Sequence, residues 1–275
     1  MAASGSYDLH NSHRSVEAEV RRLAAQARSG WAKEARVLSW FGLQDGMSVL
    51  EVGSGPGFTT AQLLALLPTS HITCVDVDRT LLDQATAHLQ DKGGERVQFI
   101  EGSVMALELE DNQFDFVYAR FLFQHLADPL GAAREIWRVL KPGGKLVIFD
   151  IDDGLFGLFA PPIPEFTPVL EAFGAAQATR GGNRHIGRNL PQLLTAANFT
   201  DIDVEAIASD SSTRGVADYL QHIHPDRMRS LVTAGRLTEE QLMQFAAALD
   251  TFLATPAAYT LWLSFVVCGE KPLVI

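Results

Sequence analysis

The sequence predicts an α/β protein: a doubly wound, mostly parallel sheet with N-terminal helices and a helical lid insertion. Two observations and one rule of chain topology lead there. Between residues 48 and 150, apolar runs of strand length alternate with stretches of helical periodicity. Strands separated by helices pair in parallel through right-handed crossovers. Glycines also crowd the first strand-to-helix turn, in VLEVGSGPGFTT at 49–60.

Taken in order, Val16, Val20, Leu23, Ala24 and Ala27 recur at helical spacing until Gly30 breaks the run. A second helix is expected over about Trp31 to Phe41. Strands follow at Ser48–Val52, Ile72–Asp76, Val97–Glu101, Phe114–Ala119 and Gly144–Asp150. Helices fill the gaps at Thr59–Leu67, Arg79–Gln90, about Phe121–Leu126, and Leu130–Leu140. The turn Lys141-Pro142-Gly143-Gly144 stops the last one, since proline cannot continue a helix and glycine tolerates the reversal. From 152 to 182 the pattern loosens into a Gly-, Pro- and Phe-rich stretch, DGLFGLFAPPIPEF and beyond. Order returns with a helix at about Leu190–Ala197, a strand at Asp201–Ile207 and helices at about Gly215–Ala234 and Thr238–Ala254. Thr238 and Gln241 match a capping box, and Tyr259–Cys268 closes the chain as a strand. The chain reads as one domain, with 1–42 a helical cap, 43–150 the core, and 151–190 and 210–256 lid segments.

Composition narrows the partners. Lys and Arg number 22 against 33 Asp and Glu, a net charge of −11, which repels a phosphate backbone and disfavours nucleic acid. No apolar stretch reaches the roughly 18 residues of a membrane span. The opening MAASGSYDLHNSHRS lacks a basic region followed by an apolar one, so a cytoplasmic protein is expected. Cys74 and Cys268 sit in strand-like runs without a CxxC or Cys/His cluster, so neither a disulfide framework nor a zinc site is expected. His222 and His224 lack further ligands nearby, and no metal is expected. Association into a homodimer is left open.

The glycines at 53, 55 and 57 follow an acid, Glu51, and precede a helix, the geometry that holds part of a ligand at a helix N-terminus. A dinucleotide fingerprint would place its third glycine at Phe58, and a phosphate loop would need a lysine. The next strand ends in Asp76, where a carboxylate accepts hydrogen bonds from both hydroxyls of an unmodified ribose.

EVGSGPG, CVDVD, IEGSV, FDFVYAR and LKPGGKLVI stand in the order and spacing of class I S-adenosylmethionine-dependent methyltransferases. The resemblance is strong over 43–150 and points to the small-molecule branch with its Rossmann-like fold. It implies S-adenosylmethionine as cofactor, with S-adenosylhomocysteine as product. The Gly53, Gly55 and Gly57 turn would lie against the methionine part, Glu51 near its ammonium, Asp76 on the ribose and Val77 against the adenine. Ser103 stands where the family often carries an acid toward the adenine, with Val104 beside it. Ala119 and Arg120 would face the methionine end through backbone groups, and Gln124 is a further cofactor contact.

Methyl transfer from a sulfonium is an in-line displacement, so positioning matters more than any one catalytic group. His125, shortly after the fourth strand, is the candidate general base; its alternative is a packed or capping histidine. His185 is a weaker candidate, with Arg184 and Arg188 as anchors for an acidic substrate group against the alternative of a solvated loop. Phe156, Phe159, Phe166 and Phe173 would wall an apolar acceptor pocket, against the alternative of packing that segment onto the core. The resemblance implies that Tyr7 and Trp31 close over the cofactor, where on their own they read as ordinary packing. The expected reaction is methylation of an oxygen, or second a carbon, of a small, partly apolar metabolite. The alternatives are a non-methylating reaction on the same cofactor, decarboxylation or cyclisation, and a nicotinamide oxidoreductase.

Overall fold

The computed structural model describes residues 6–7, 16–28, 30–155, 157–212, 216, 220 and 223–273. Two helices, α1 (Val16–Arg28) and α2 (Trp31–Trp40), precede β1 (Ser48–Val52). The alternation continues with α3 (Phe58–Leu66), β2 (His71–Asp76), α4 (Arg79–Leu89), β3 (Val97–Glu101), β4 (Phe114–Arg120), α5 (Pro129–Val139) and β5 (Leu140–Ile151). Then come β6 (Leu158–Ala160), α6 (Phe166–Ala178), α7 (Leu190–Ala196) and β7 (Thr200–Asp210). The described chain ends with α8 (Pro225–Thr233), α9 (Glu239–Ala254) and β8 (Tyr259–Glu270).

Strands β1 to β5 lie parallel in the order β3-β2-β1-β4-β5. β8 runs antiparallel to β5, with Ile151 opposite Ser264 and Lys145 opposite Glu270, and pairs antiparallel with β6 and β7 as well. From β1 the chain moves outward through β2 and β3, then returns to place β4 on the other flank of β1. That reversal leaves a crevice beyond the carboxyl ends of β1 and β4, the position where open α/β sheets take their ligands.

Alternation along each strand divides the core. Leu50, Val52, Val117 and Ile148 face α5 and α7, meeting Ala132, Ile136, Leu190 and Leu194. Val49, Phe116, Tyr118 and Val147 face α2 and α3, meeting Leu38, Phe41, Leu63 and Leu67. Burial on both faces is why these strands read as near-continuous apolar runs. A third cluster, including Phe166, Val169, Met228, Leu231 and Phe245, joins α6, α8 and α9.

Three expectations change. Phe121–Leu126 is not a helix but a three-residue 3-10 turn at Phe123–His125, because Phe121 takes a left-handed φ of 52° and the Gln124 N–H donates to the Asp150 carboxylate. The stretch expected to be irregular holds β6 and the 13-residue α6. Its sequence, FTPVLEAFGAAQA, is apolar on most sides, so no stripe gives the helix away. Finally, β5 starts at Leu140, and Lys141–Gly144 is absorbed as a bulge opposite Phe114 and Phe116.

Further along, α8 begins at Pro225, where the missing N–H is harmless, with the His224 side chain accepting from the Asp226 N–H. The earlier part of the helix expected from 215 includes residues outside those described, His222 among them. The capping box forms as expected: Gln241 N donates to Thr238 Oγ1 at 3.0 Å, and Thr238 N donates to Gln241 Oε1 at 2.9 Å. No helix among the described residues is long and apolar enough to cross a membrane.

Candidate active site

A cleft of about 1680 Å³ occupies the crevice beyond β1 and β4 and runs up to the helices α1, α6 and α8. A site for one drug-sized ligand is about 300–1,000 Å³. This cleft therefore has room for two molecules together.

The glycine turn is tied to β2. Gly53 N donates to Val75 O at 2.8 Å, and Gly55 N donates to Asp76 Oδ2 at 2.8 Å. The glycines answer different demands. A Cβ on Gly53 would meet Leu122 Cδ1 at 3.0 Å, whereas one on Gly55, which lines the cleft, would meet nothing within 4 Å. Gly57 does not line the cleft. At φ 75° it starts α3, and a Cβ there would lie 3.0 Å from Ala85 Cβ and 3.1 Å from Leu89 Cδ1. Its role is close packing of α3 on α4, which corrects its expected place beside the ligand.

Two acids stand at the cleft in low-dielectric surroundings. Burial pushes the Glu51 carboxyl up to about 8, against the opposing hydrogen bond from Thr60 Oγ1 at 2.6 Å and the charge of Arg120. Burial also raises Asp76, although its Oδ1 accepts from the Asp78 N–H at 2.9 Å. Each Asp76 oxygen keeps a second lone pair for a ligand donor. Between them, the buried Ser54 Oγ has no hydrogen-bond partner among the described residues. An open backbone at Gly55, an orphaned hydroxyl and two acids with spare acceptor capacity fit a ligand carrying an ammonium and a diol. On the same side, Val77 is 67% exposed, and Ser103 and Val104 line the cleft. The Ser103 Oγ already accepts from Met105 N at 3.2 Å.

At the end of β4, Arg120 lines the cleft with its charge balanced by Glu34 of α2. Its Nε donates to Glu34 Oε1 and Oε2 at 2.9 and 3.1 Å, and the Tyr118 hydroxyl also donates to Glu34 Oε1. Sequence reasoning missed this network, yet it left a signal. Glu34 sits between Trp31 and Leu38 on the buried stripe of α2, and a buried acid needs a partner. Phe121, held at positive φ, was missed as a cleft residue too. Ala119 stays inside the sheet, opposite Val52 and Ile148, and does not line the cleft.

The turn after β4 carries Gln124 and His125. Both ends of the Gln124 amide are engaged: Nε2 donates to Asp150 Oδ1 at 3.0 Å, and Oε1 accepts from Arg184 at 3.2 Å. Burial lifts Asp150 to about 7. His125 faces the cleft under residues 6 and 7. Its Nδ1 lies 2.9 Å from Ser6 Oγ, and its ring meets Tyr7 edge-on at 5.4 Å. Burial first, then the charges of Arg184, Arg22 and Arg180, lower its pKa to about 3. A histidine so placed stays neutral and accepts a proton poorly.

Tyr7 itself lines the cleft, with its hydroxyl donating to Glu19 Oε1 at 3.3 Å. Trp31 packs on the α2–α3 side of the sheet instead. Phe166 and Phe173 reach the cleft, but Phe159 does not. It is buried among Phe166 and Phe252. Phe156 lies outside the described residues. His185 and Arg188 are also absent from the cleft. Both turn to Asp152, which is fully buried, with Arg188 Nε at 2.5 Å and His185 Nδ1 at 3.3 Å. Arg184 does line the cleft, but Asp153 claims its guanidinium, Nη2 donating to Oδ1 at 2.8 Å.

Residues 50–148 match the family described as the methyltransferase domain. This core is a class I S-adenosylmethionine-dependent methyltransferase domain. A demethylmenaquinone methyltransferase of Listeria welshimeri is 30% identical over 171 residues, 62% of this chain and 65% of that protein. The match thus spans just under two-thirds of that relative's length. A sterol 24-C-methyltransferase of Gibberella zeae is 36% identical over 110 residues, 40% of this chain and 29% of that protein. Among solved structures, the cyclase SpnF superposes with a TM-score of 0.52 at 21% identity, covering 90% of this chain and 85% of its own, a likeness of fold. The methyltransferase core accounts for the crevice, the glycine turn and Asp76. The helices beyond β5 lie outside the matched residues.

Proposed function

We propose that the protein moves a methyl group from S-adenosylmethionine to a carbon atom of a small, largely apolar acceptor. The observation that carries this reading is the single two-molecule cleft. One end bears Glu51, Ser54, Gly55 and Asp76, and the other bears Val169, Leu170, Phe173 and Leu231. Carbon takes precedence over the oxygen expected from sequence because the sterol relative is named a carbon methyltransferase. At either atom the displaced proton would leave to a group other than His125 or to water. The bound cofactor supplies a methyl activated on a sulfonium. Glu51 would hold its ammonium, Asp76 its ribose hydroxyls and Val77 its adenine. The described parts of segments 151–190 and 210–256, chiefly α6 and α8, act with Tyr7 as a lid that aligns the acceptor and excludes water, an effect worth about 7–11 kcal/mol of a barrier when alignment is good. Two buried free thiols, Cys74 and Cys268, suit a reducing, cytoplasmic setting.

Mass spectrometry with trideuteromethyl-labelled cofactor and a panel of quinols and sterols tests the reading. A labelled product together with released S-adenosylhomocysteine is expected, with carbon-13 NMR placing the label on carbon. Conversion without added methyl would favour the non-methylating alternative, and a label on oxygen would reinstate the first expectation from sequence.

Cofactor binding should release a proton. Glu51 is protonated below about 8 in the free protein, and an ammonium beside it favours the carboxylate. Release is therefore expected between the usual carboxylate range and pH 8, and fades above it. Calorimetric titration at pH 7 in buffers of different ionisation enthalpy should report about one proton released in the wild type and none in Glu51→Gln. Equal release in both would remove Glu51 from the ammonium.

His125→Asn should leave the shape of the pH–rate profile between pH 5 and 9 unchanged, since a group with a pKa of about 3 does not titrate there. Turnover should fall by less than about tenfold, short of the 10²–10⁴-fold of a lost general base. Disappearance of a limb near pH 6–7 would restore the base.

A further inference from the structure

Charges of both signs line the cleft. On its cofactor half, Glu51, Asp76, Asp78 and Glu101 stand with Arg120, held by Glu34, and Arg79, held by Asp83. Arg22, Arg180, Arg184, Arg227 and Arg236 line the half under the lid. Most of these arginines are committed. Arg22 is held by Glu19, with Nη2 to Oε1 at 2.6 Å, and Arg184 by Asp153. Arg227 acts electrostatically on Glu19. The acids on this side are committed as well. Asp128 Oδ1 accepts from the Gly131 N–H at 2.8 Å, and Asp226 pairs with His224 and Arg229.

Arg180 and Arg236 are different. Neither has a salt-bridge partner among the described residues, and both face the cleft from chain segments just past α6 and α8. Both are exposed side chains at the solvent-facing rim of the cleft, and the charge of Arg180 is felt at His125 within it. Beside it run the apolar side chains of Val169, Leu170 and Phe173 from α6, and Leu231 from α8. In a chain of net charge −11, two uncompensated guanidiniums at one cleft are a local reversal of sign.

Taking the proposed methyl transfer as its basis, we infer that the acceptor is an amphiphile whose apolar body ends in an anionic group, a carboxylate or a phosphate, anchored by Arg180 with Arg236 beside it. A guanidinium meets either group through paired N–H donors. Arg184 and Arg188, which the sequence offered as anchors against the alternative of a solvated loop, are occupied by Asp153 and Asp152.

The test is calorimetric titration of the protein loaded with S-adenosylhomocysteine, using decanoate, decyl phosphate, decanol and decylammonium as probes of one chain length. Decanoate or decyl phosphate should bind about tenfold or more tightly than decanol, and decylammonium most weakly. The tighter of the two anions names the head group. Arg180→Glu should abolish the preference and Arg236→Glu should reduce it, with thermal unfolding confirming that both variants fold. Equal binding of decanoate, decyl phosphate and decanol, no binding of any probe, or a preference untouched by Arg180→Glu would overturn the inference. Failure of S-adenosylhomocysteine itself to bind would instead bring down the methyl-transfer reading, and the same probes would then be compared on the free protein.

Discussion

Glu34→Ala is expected to destabilise the protein by about 3–5 kcal/mol, the range for stripping one partner from a buried ion pair. The Glu34 and Arg120 side chains are only 1% and 8% exposed. Without the carboxylate, a buried guanidinium loses both short hydrogen bonds, and the Tyr118 hydroxyl, buried in the sheet, loses its acceptor. Residual contacts, Nη2 to Gln26 O at 3.2 Å and the rings of Phe121 and Phe149 at 4.7 and 5.1 Å, do not replace the charge. Urea unfolding should record the loss, and Tm should fall on the order of 10 °C. Glu34→Ala combined with Arg120→Met should recover part of it, because an apolar side chain needs no counter-charge. A loss below about 1 kcal/mol in the single variant would mean that water reaches Arg120. The effect has a functional reach, since Arg120 lines the cleft and its charge lowers the pKa of Glu51.

How much of this was legible in the sequence follows from the range of each interaction. β1 and β3 fall at the bounds read from their apolar runs, and α9 opens on the capping box read from Thr238 and Gln241, because such signals are local. Glu51 and Asp76 could be named because each sits at a fixed offset from a strand end. The helix α6 could not, since its apolar residues meet α8 and α9 on one side and the cleft on the other, leaving no polar stripe to set the period. The arginines failed for a different reason. Arg180, Arg184 and Arg188 lie within nine residues of one another, and nothing local tells which will meet Asp152 or Asp153 across the fold. His125 lines the cleft, but its proton affinity is set first by burial and then by the charges of Arg184, Arg22 and Arg180, none of them near it in sequence.

The two glycines flanking Pro56 should separate cofactor binding from folding. Gly55 has φ 54° and open space where a Cβ would stand, so Gly55→Leu costs the fold only the left-handed strain of roughly 1–2 kcal/mol. Its side chain would instead project into the cleft beside Asp76, and S-adenosylhomocysteine affinity should fall by more than about a hundredfold, the equivalent of roughly 3 kcal/mol. Gly57→Ala adds one methyl in the opposite situation, 3.0 Å from Ala85 Cβ and 3.3 Å from Ala85 Cα, at φ 75°. Strain and overpacking together should destabilise it by about 2–5 kcal/mol. Where it remains folded, its ligand affinity should stay near wild type, since Gly57 does not line the cleft. Thermal unfolding and calorimetric titration of both variants decide the matter. Should Gly55→Leu bind S-adenosylhomocysteine as tightly as the wild type, the ligand does not pass over this turn, and the assignment of Glu51 and Asp76 to its two ends fails with it.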